Sequence, residues 1–233
     1  MLLSNNNVNL TTSSHTHNTL SFAFNNNNNN NFNIDWNKPA LNVTSNIVNL
    51  VGIANFKHPF NLDFFHKHWF NAVYEPKKIP CVRCPLNFNN NAVALVYHSG
   101  KVVITGINTP MQATKAFYTI LLFYCKLFTS PLPKPNFLYT NVVATADLKQ
   151  HINLLNLPAF DHRIDFQPDI FPAAKILAHL FIKPHATVLL YANGKIVVTG
   201  AKKIFLAHLI SQFTIRNILQ PFGLHFDFLN LVF

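Results

Sequence analysis

Between Ala94 and Gly106 the chain reads as two short strands joined at Ser99-Gly100, and both sets of alternating positions are apolar. Successive strand residues face opposite sides, so Leu95, Tyr97, Val103 and Thr105 share one face and Ala94, Val96, Val102 and Ile104 the other. The pattern returns 94 positions later, with Leu189, Tyr191, Val197 and Thr199 opposed to Val188, Leu190, Ile196 and Val198 around the tight-turn pair Asn193-Gly194. Helical spacing after each hairpin predicts one amphipathic helix over about Thr109 to Phe128 and another over about Ala201 to Leu219. One helix covers one face of a sheet. The second apolar face is then left for a partner, because an antiparallel sheet that meets water keeps its free side polar. A sandwich with elements roofing both faces is the alternative that patterning leaves open.

The repetition is wider than the hairpin. Asn46-Ile-Val is answered by Asn141-Val-Val, and Tyr74-Glu-Pro-Lys-Lys-Ile79 by Phe166-Gln-Pro-Asp-Ile-Phe171, in the same order and at nearly the same offset. Two copies of one unit predict a pseudo-twofold body with a binding surface continuous across its halves. The pattern also predicts a strand at Ile47 to Val51 and a helical stretch around Leu62 to Trp69. Residues 1–41 are rich in Asn, Ser and Thr, run uninterrupted as Asn from Asn25 to Asn31, and predict a disordered tail. The repeats are expected at 42–135 and 136–224, with an apolar C-terminal extension at 225–233.

Charge narrows the partner. The chain has 18 Lys and Arg against 8 Asp and Glu, a formal +10, as expected of a protein that meets phosphate or another anionic surface. Arg occurs only as Arg83, Arg163 and Arg216, which favours attraction to a backbone over bidentate reading of guanine. No apolar run reaches the roughly 18 residues of a membrane span. The N-terminus lacks the features of a secretion signal, so an intracellular chain with Cys81, Cys84 and Cys125 as thiols is expected.

Several ordered motifs then carry a resemblance: Asn46-Ile-Val, Asn71-Ala-Val-Tyr-Glu-Pro-Lys-Lys, Ser99-Gly-Lys-Val-Val-Ile-Thr-Gly106, Asn141-Val-Val-Ala-Thr-Ala-Asp147, Gln167-Pro-Asp-Ile-Phe-Pro172, Ile182-Lys-Pro184 and Gly194-Lys-Ile-Val-Val-Thr-Gly-Ala-Lys202. Together they resemble a divergent member of the TATA-box-binding protein family over about Asn46 to Leu224. The resemblance implies an α+β saddle: two repeats forming one curved antiparallel sheet with helices on the convex side. It implies a non-enzymatic general transcription initiation factor, without cofactor, working in the nucleus. Such a factor binds A·T-rich promoter duplexes in the minor groove, bends them and nucleates a pre-initiation complex.

By the same resemblance Asn46 and Asn141 donate to minor-groove acceptors, Thr105 and Thr199 are the paired threonines, and Val48, Val143, Val103, Val197, Leu95 and Leu189 form the apolar floor. The wedge places, phenylalanine in the family, hold Ile79, Tyr97, Phe171 and Tyr191. Lys77, Lys78, Lys101, Lys195 and Lys202 are implied phosphate contacts, while Asn108 and Pro85 stand where the family has cations, so fewer phosphate contacts are expected. Gln167, Asp169 and Ile170 occupy the stirrup that holds transcription factor IIB; factor IIA and polymerase-associated factors are further implied partners, and self-association in the absence of DNA is left open.

Other chemistries compete weakly. Cys81-Val-Arg-Cys84 has zinc-ligand spacing without a second cysteine pair, and Asp161, Asp165 and Asp169 have helix-like spacing broken by Pro168. Two functional alternatives are a relative without TATA preference that acts through protein partners, and an accessory nucleic-acid-binding module of a DNA-repair or RNA-cleaving enzyme.

Overall fold

The computed structural model describes residues 43–88, 91–127, 135–177 and 186–219. The predicted tail 1–41, the extension 225–233 and the motif Ile182-Lys-Pro184 lie outside them. The first half runs β1 (Asn46–Asn55), α1 (Leu62–His68), β2 (Val73–Tyr74), β3 (Cys81–Pro85), β4 (Val93–Tyr97), β5 (Lys101–Ile107) and α2 (Pro110–Leu127). The second runs β6 (Phe137–Asp147), α3 (Leu157–Phe160), β7 (Ile164–Asp165), β8 (Ala173–Leu177), β9 (Thr187–Tyr191), β10 (Lys195–Ala201) and α4 (Ile204–Thr214).

All ten strands join one sheet in the order β2-β3-β4-β5-β1-β6-β10-β9-β8-β7, with antiparallel neighbours throughout. The halves meet where β1 pairs with β6, and this seam has its own symmetry. Asn49 pairs with Val143, Leu50 with Val142 and Val51 with Asn141; farther out, Asn46 pairs with Thr145 and Ile53 with Leu138. A pseudo-twofold axis therefore passes through the Leu50–Val142 pair and relates residues 92 positions apart. Each central strand carries a register shift at the equivalent place, between Ile47 and Asn49 in β1 and between Tyr139 and Asn141 in β6.

The two-faced hairpins fold as their alternation predicts. Ala94, Val96, Val102 and Ile104 are fully buried, as are Val188, Leu190, Ile196 and Val198. They form one core with Leu50, Val142 and Ala144, closed by Ala113, Ala116, Ile120 and Tyr124 of α2 and by Ala207 and Ile210 of α4. Each large aliphatic side chain moved out of water here contributes about 1.5–3 kcal/mol. At the seam the space is filled across the sheet: Phe137 lies over Gly52, where an added Cβ would stand 2.1 Å from the ring.

Helix ends follow local chemistry. The Thr109 hydroxyl accepts from the Gln112 amide at 3.2 Å, and the Gln112 side chain accepts from the Asn108 amide at 3.0 Å, a reciprocal cap that starts α2. The second long helix starts later than the sequence pattern predicts. Ala201 still pairs with Val142 in the sheet, so the chain cannot turn helical until it has left the ladder, and α4 begins at Ile204. Beyond Thr214 the backbone opens into one π-helical turn, Ile215–Leu219.

Candidate functional site

The opposite face of the sheet carries no helix among the described residues. Leu95, Tyr97, Val103 and Thr105, with Leu189, Tyr191, Val197 and Thr199, are each half-buried by lateral neighbours alone, and Asn141 and Val143 share that state. Val48, Ile79 and Phe171 are exposed at 47%, 57% and 43%, which for apolar groups on one continuous face marks a surface that meets a partner.

Two asparagines sit beside the axis of this face. The Asn141 Oδ1 accepts from the Gly200 amide at 2.7 Å and lies 3.5 Å from the Thr199 hydroxyl; the Asn49 Oδ1 accepts from the Gly106 amide at 3.0 Å. Gly106 and Gly200 have φ of +75° and +89°, a left-handed backbone that turns each amide toward its asparagine and that glycine adopts without strain. With the carbonyl oxygen committed to a backbone N–H, each amide group is oriented so that its Nδ2 is the free end. The site thus presents two hydrogen-bond donors on an apolar floor.

This geometry reassigns one sequence match. The counterpart of Asn141 is Asn49, not Asn46: Asn49 has the same glycine partner, and the Asn49–Val143 and Val51–Asn141 pairs are related by the axis. Asn46 corresponds to Leu138, and Val48 to Thr140. The tripeptide Asn46-Ile-Val misleads because its match to Asn141-Val-Val implies an offset of 95, whereas the axis relates residues 92 positions apart on both sides of the register shifts. The distance to the next shared motif carries the signal instead: Asn49 to Glu75 and Asn141 to Gln167 both span 26 positions. Val48 stays with the site, lining a hollow with Asn49, Leu95 and Thr105; Asn46 is exposed.

The four wedge places are arranged in equivalent pairs. Tyr97 lies opposite Cys81 and Tyr191 opposite Ala173 in their ladders. Ile79 and Phe171 each close a turn, donating their amides at 3.0 Å to the carbonyls of Glu75 and Gln167. The tyrosines differ in one respect. Burial, followed by the neighbouring Cys81, raises the Tyr97 pKa, whereas Tyr191 lies opposite Ala173.

Cations flank the face. Lys77, Lys101, Lys195 and Lys202 are exposed, and Lys78 is ion-paired with Glu75 at 2.5 Å. Two further cations escaped the sequence reading because no motif contains both: Arg83 and Lys175, opposite Leu95 and Leu189, stand exposed on this same face. Gln167, Asp169 and Ile170 line the exposed turn before Phe171, with Ile170 at 78% exposure.

The competing chemistries are dispersed by the fold. Cys81 and Cys84 are three positions apart on one strand and so face opposite sides of it. Burial raises both thiols, Cys84 to about 12, whereas the hydrogen bond from Tyr97 opposes the rise at Cys81. Asp161 is bonded through Nε and NH2 of Arg163, and its carboxyl is held below the ordinary range chiefly by that contact. Asp165 accepts from Gln167 at 3.2 Å.

Comparison with known proteins gives one family. A profile described as "Transcription factor TFIID (or TATA-binding protein, TBP)" matches residues 44–124 and 136–222. The TATA-box-binding protein of Archaeoglobus fulgidus is 31% identical over 159 residues, covering 67% of this chain and 84% of that protein. The TATA-box-binding protein-like 1 of Entamoeba histolytica is 32% identical over 164 residues, covering 68% and 71%. Among solved structures, Methanococcus jannaschii TBP superposes with a TM-score of 0.60 at 26% identity, covering 73% of this chain and 98% of that one.

Proposed function

The chain belongs to the TATA-box-binding protein family, and from that premise we propose that it is a transcription initiation factor that binds A·T-rich duplex DNA through the open face of its sheet. The observation that carries the reading is the pair of outward-facing amide donors at Asn49 and Asn141 on an otherwise apolar floor. In the minor groove an A·T pair offers only acceptors, adenine N3 and thymine O2, and no protruding amino group. A smooth apolar surface can lie on such a groove, and two donors beside the axis meet acceptors there. A G·C pair puts an amino group against the same donors and floor.

Thr105 and Thr199 add hydroxyls beside the donors, while Val48, Val51, Val143, Val103, Val197, Leu95 and Leu189 supply the floor. Ile79 with Tyr97 and Phe171 with Tyr191 are the proposed wedges at the two ends, a mode for which this family is itself the reference case. Lys77, Lys78, Lys101, Lys195 and Lys202 face phosphates in this reading. The Gln167–Ile170 turn, with Asp169 and the exposed Ile170, is the proposed docking place for transcription factor IIB, in a pre-initiation complex assembled in the nucleus with factor IIA and polymerase-associated factors. The domain limits proposed are 42–135 and 136–224.

Ile79, Tyr97 and Tyr191 at the wedge places favour one second reading, a relative that binds duplex DNA with little bending and acts through protein partners. Fluorescence resonance transfer between the ends of an A·T-rich duplex separates the two. Bending that falls on Tyr97→Ala with Tyr191→Ala supports the wedge. Wild-type binding without bending supports the second reading, and no binding by folded protein at low salt refutes both.

A further inference from the structure

Arg83 on β3 and Lys175 on β8 are 92 positions apart, the offset that the central axis imposes. Their cross-strand partners, Leu95 and Leu189, are equivalent residues of the apolar floor, so the two cations occupy one symmetry-related position on the open face. Both are exposed, and Arg83 makes no ion pair among the described residues. It borders a hollow with Val48, Asn49, Leu95, Thr105 and Asn108. On its other side Arg83 faces the apolar Val73, whereas Lys175 faces the carboxylate of Asp165.

We propose that Arg83 and Lys175 are a pair of phosphate contacts, one for each strand of the bound duplex; this rests on the DNA-binding reading above. A duplex that spans the halves places its own dyad on the protein's axis, so equivalent protein residues meet opposite strands. β3 and β8 are the second and ninth strands of the sheet, and the steps between them at about 4.8 Å place the cations roughly 34 Å apart along its surface. That span is about one turn of duplex. On the apolar protein floor a cation loses hydration, but a long side chain carries its charge off the floor to the groove wall, where the phosphates stand. The pair also restores positive charge to a face where Asn108 and Pro85 lack it.

The test is the salt dependence of binding to an A·T-rich duplex and to the same duplex interrupted by G·C pairs. Arg83→Gln and Lys175→Gln should each lower the slope of log K against log salt by about 0.9, and together by about 1.8. Losses should be uniform across both duplexes, larger for Arg83 than for Lys175 because of Asp165, and Arg83→Lys should keep the slope. Thermal midpoints should not move, since both side chains are exposed. An unchanged slope, or a loss confined to one duplex, overturns the phosphate assignment while wild-type A·T preference leaves the reading of the site intact. Wild-type protein that binds neither duplex sinks both.

Discussion

Replacing Asn141 by Asp isolates the donor on which the groove reading depends. The carboxylate keeps an oxygen for the Gly200 amide, which Asn141 now serves at 2.7 Å, so the local backbone should hold. What changes is the outward end, where an N–H donor becomes a charged acceptor. Against adenine N3 or thymine O2 this loses one hydrogen bond, about 1 kcal/mol, and adds a buried, uncompensated charge at about 2–5 kcal/mol. The sum is about 3–6 kcal/mol, or a loss of affinity between about 10² and a few times 10⁴. Asn141→Ala is the less informative change, because it also strips the Gly200 amide of its acceptor at about 1–3 kcal/mol of stability. Titrations by fluorescence anisotropy on an A·T-rich duplex, with urea midpoints as the fold check, measure both quantities. Asn49→Asp should match Asn141→Asp, whereas Asn46→Ala should cost no more than about twofold, as expected of an exposed position outside the symmetric pair. Wild-type affinity in a folded Asn141→Asp variant refutes the donor argument. Equal losses for Asn46→Ala and Asn49→Ala would refute the assignment by symmetry.

Two further outcomes concern the fold. Asp161→Asn removes the carboxylate that the Arg163 guanidinium, about 10% exposed, bonds through Nε and Nη2, which should lower unfolding free energy by about 1.5–3 kcal/mol at neutral pH. The Asp161 carboxyl titrates below its ordinary 3.8 when folded, so its contribution is complete above that value and lost as pH falls through the lower folded value. Urea midpoints measured from pH 7 to pH 2 should therefore converge between wild type and Asp161→Asn; an equal midpoint at pH 7 contradicts the pairing. With Cys84 fully buried and its thiol pushed up to about 12, a thiolate-directed reagent at pH 8 should label the half-buried Cys125 first and leave Cys84 untouched until the chain unfolds. Mass-mapped labelling of Cys84 at the rate of the denatured chain would contradict its burial.

How far the site was legible depended on whether its signal was local. The hairpins spoke for themselves: alternation with both faces apolar foretold one set of residues sealed under α2 and α4 and another left open, and Val96 and Tyr97 divide that way. The positions proposed as wedges could be assigned from the sequence because each adjoins a fixed turn motif. The asparagine of the first half was not, since a three-residue match sets an offset of 95 where the axis, formed only when β1 meets β6, imposes 92. Arg83 and Lys175 were invisible because the feature that makes them a pair is their common position across the ladder from Leu95 and Leu189. The start of α4 was misplaced by propensity, which counts Ala201 as helical while the ladder holds it as strand.

By itself the order of residues determined the repeated unit, its two-faced strands, its basic charge and the turn residues that join the pieces, because each is a matter of spacing or composition within one stretch of chain. Tertiary structure decided which residues are equivalent. The axis at Leu50 and Val142 exists only once β1 has met β6, and from it follow the pairing of Asn49 with Asn141, the direction in which their amides point, and the cations that face the same partner from opposite halves.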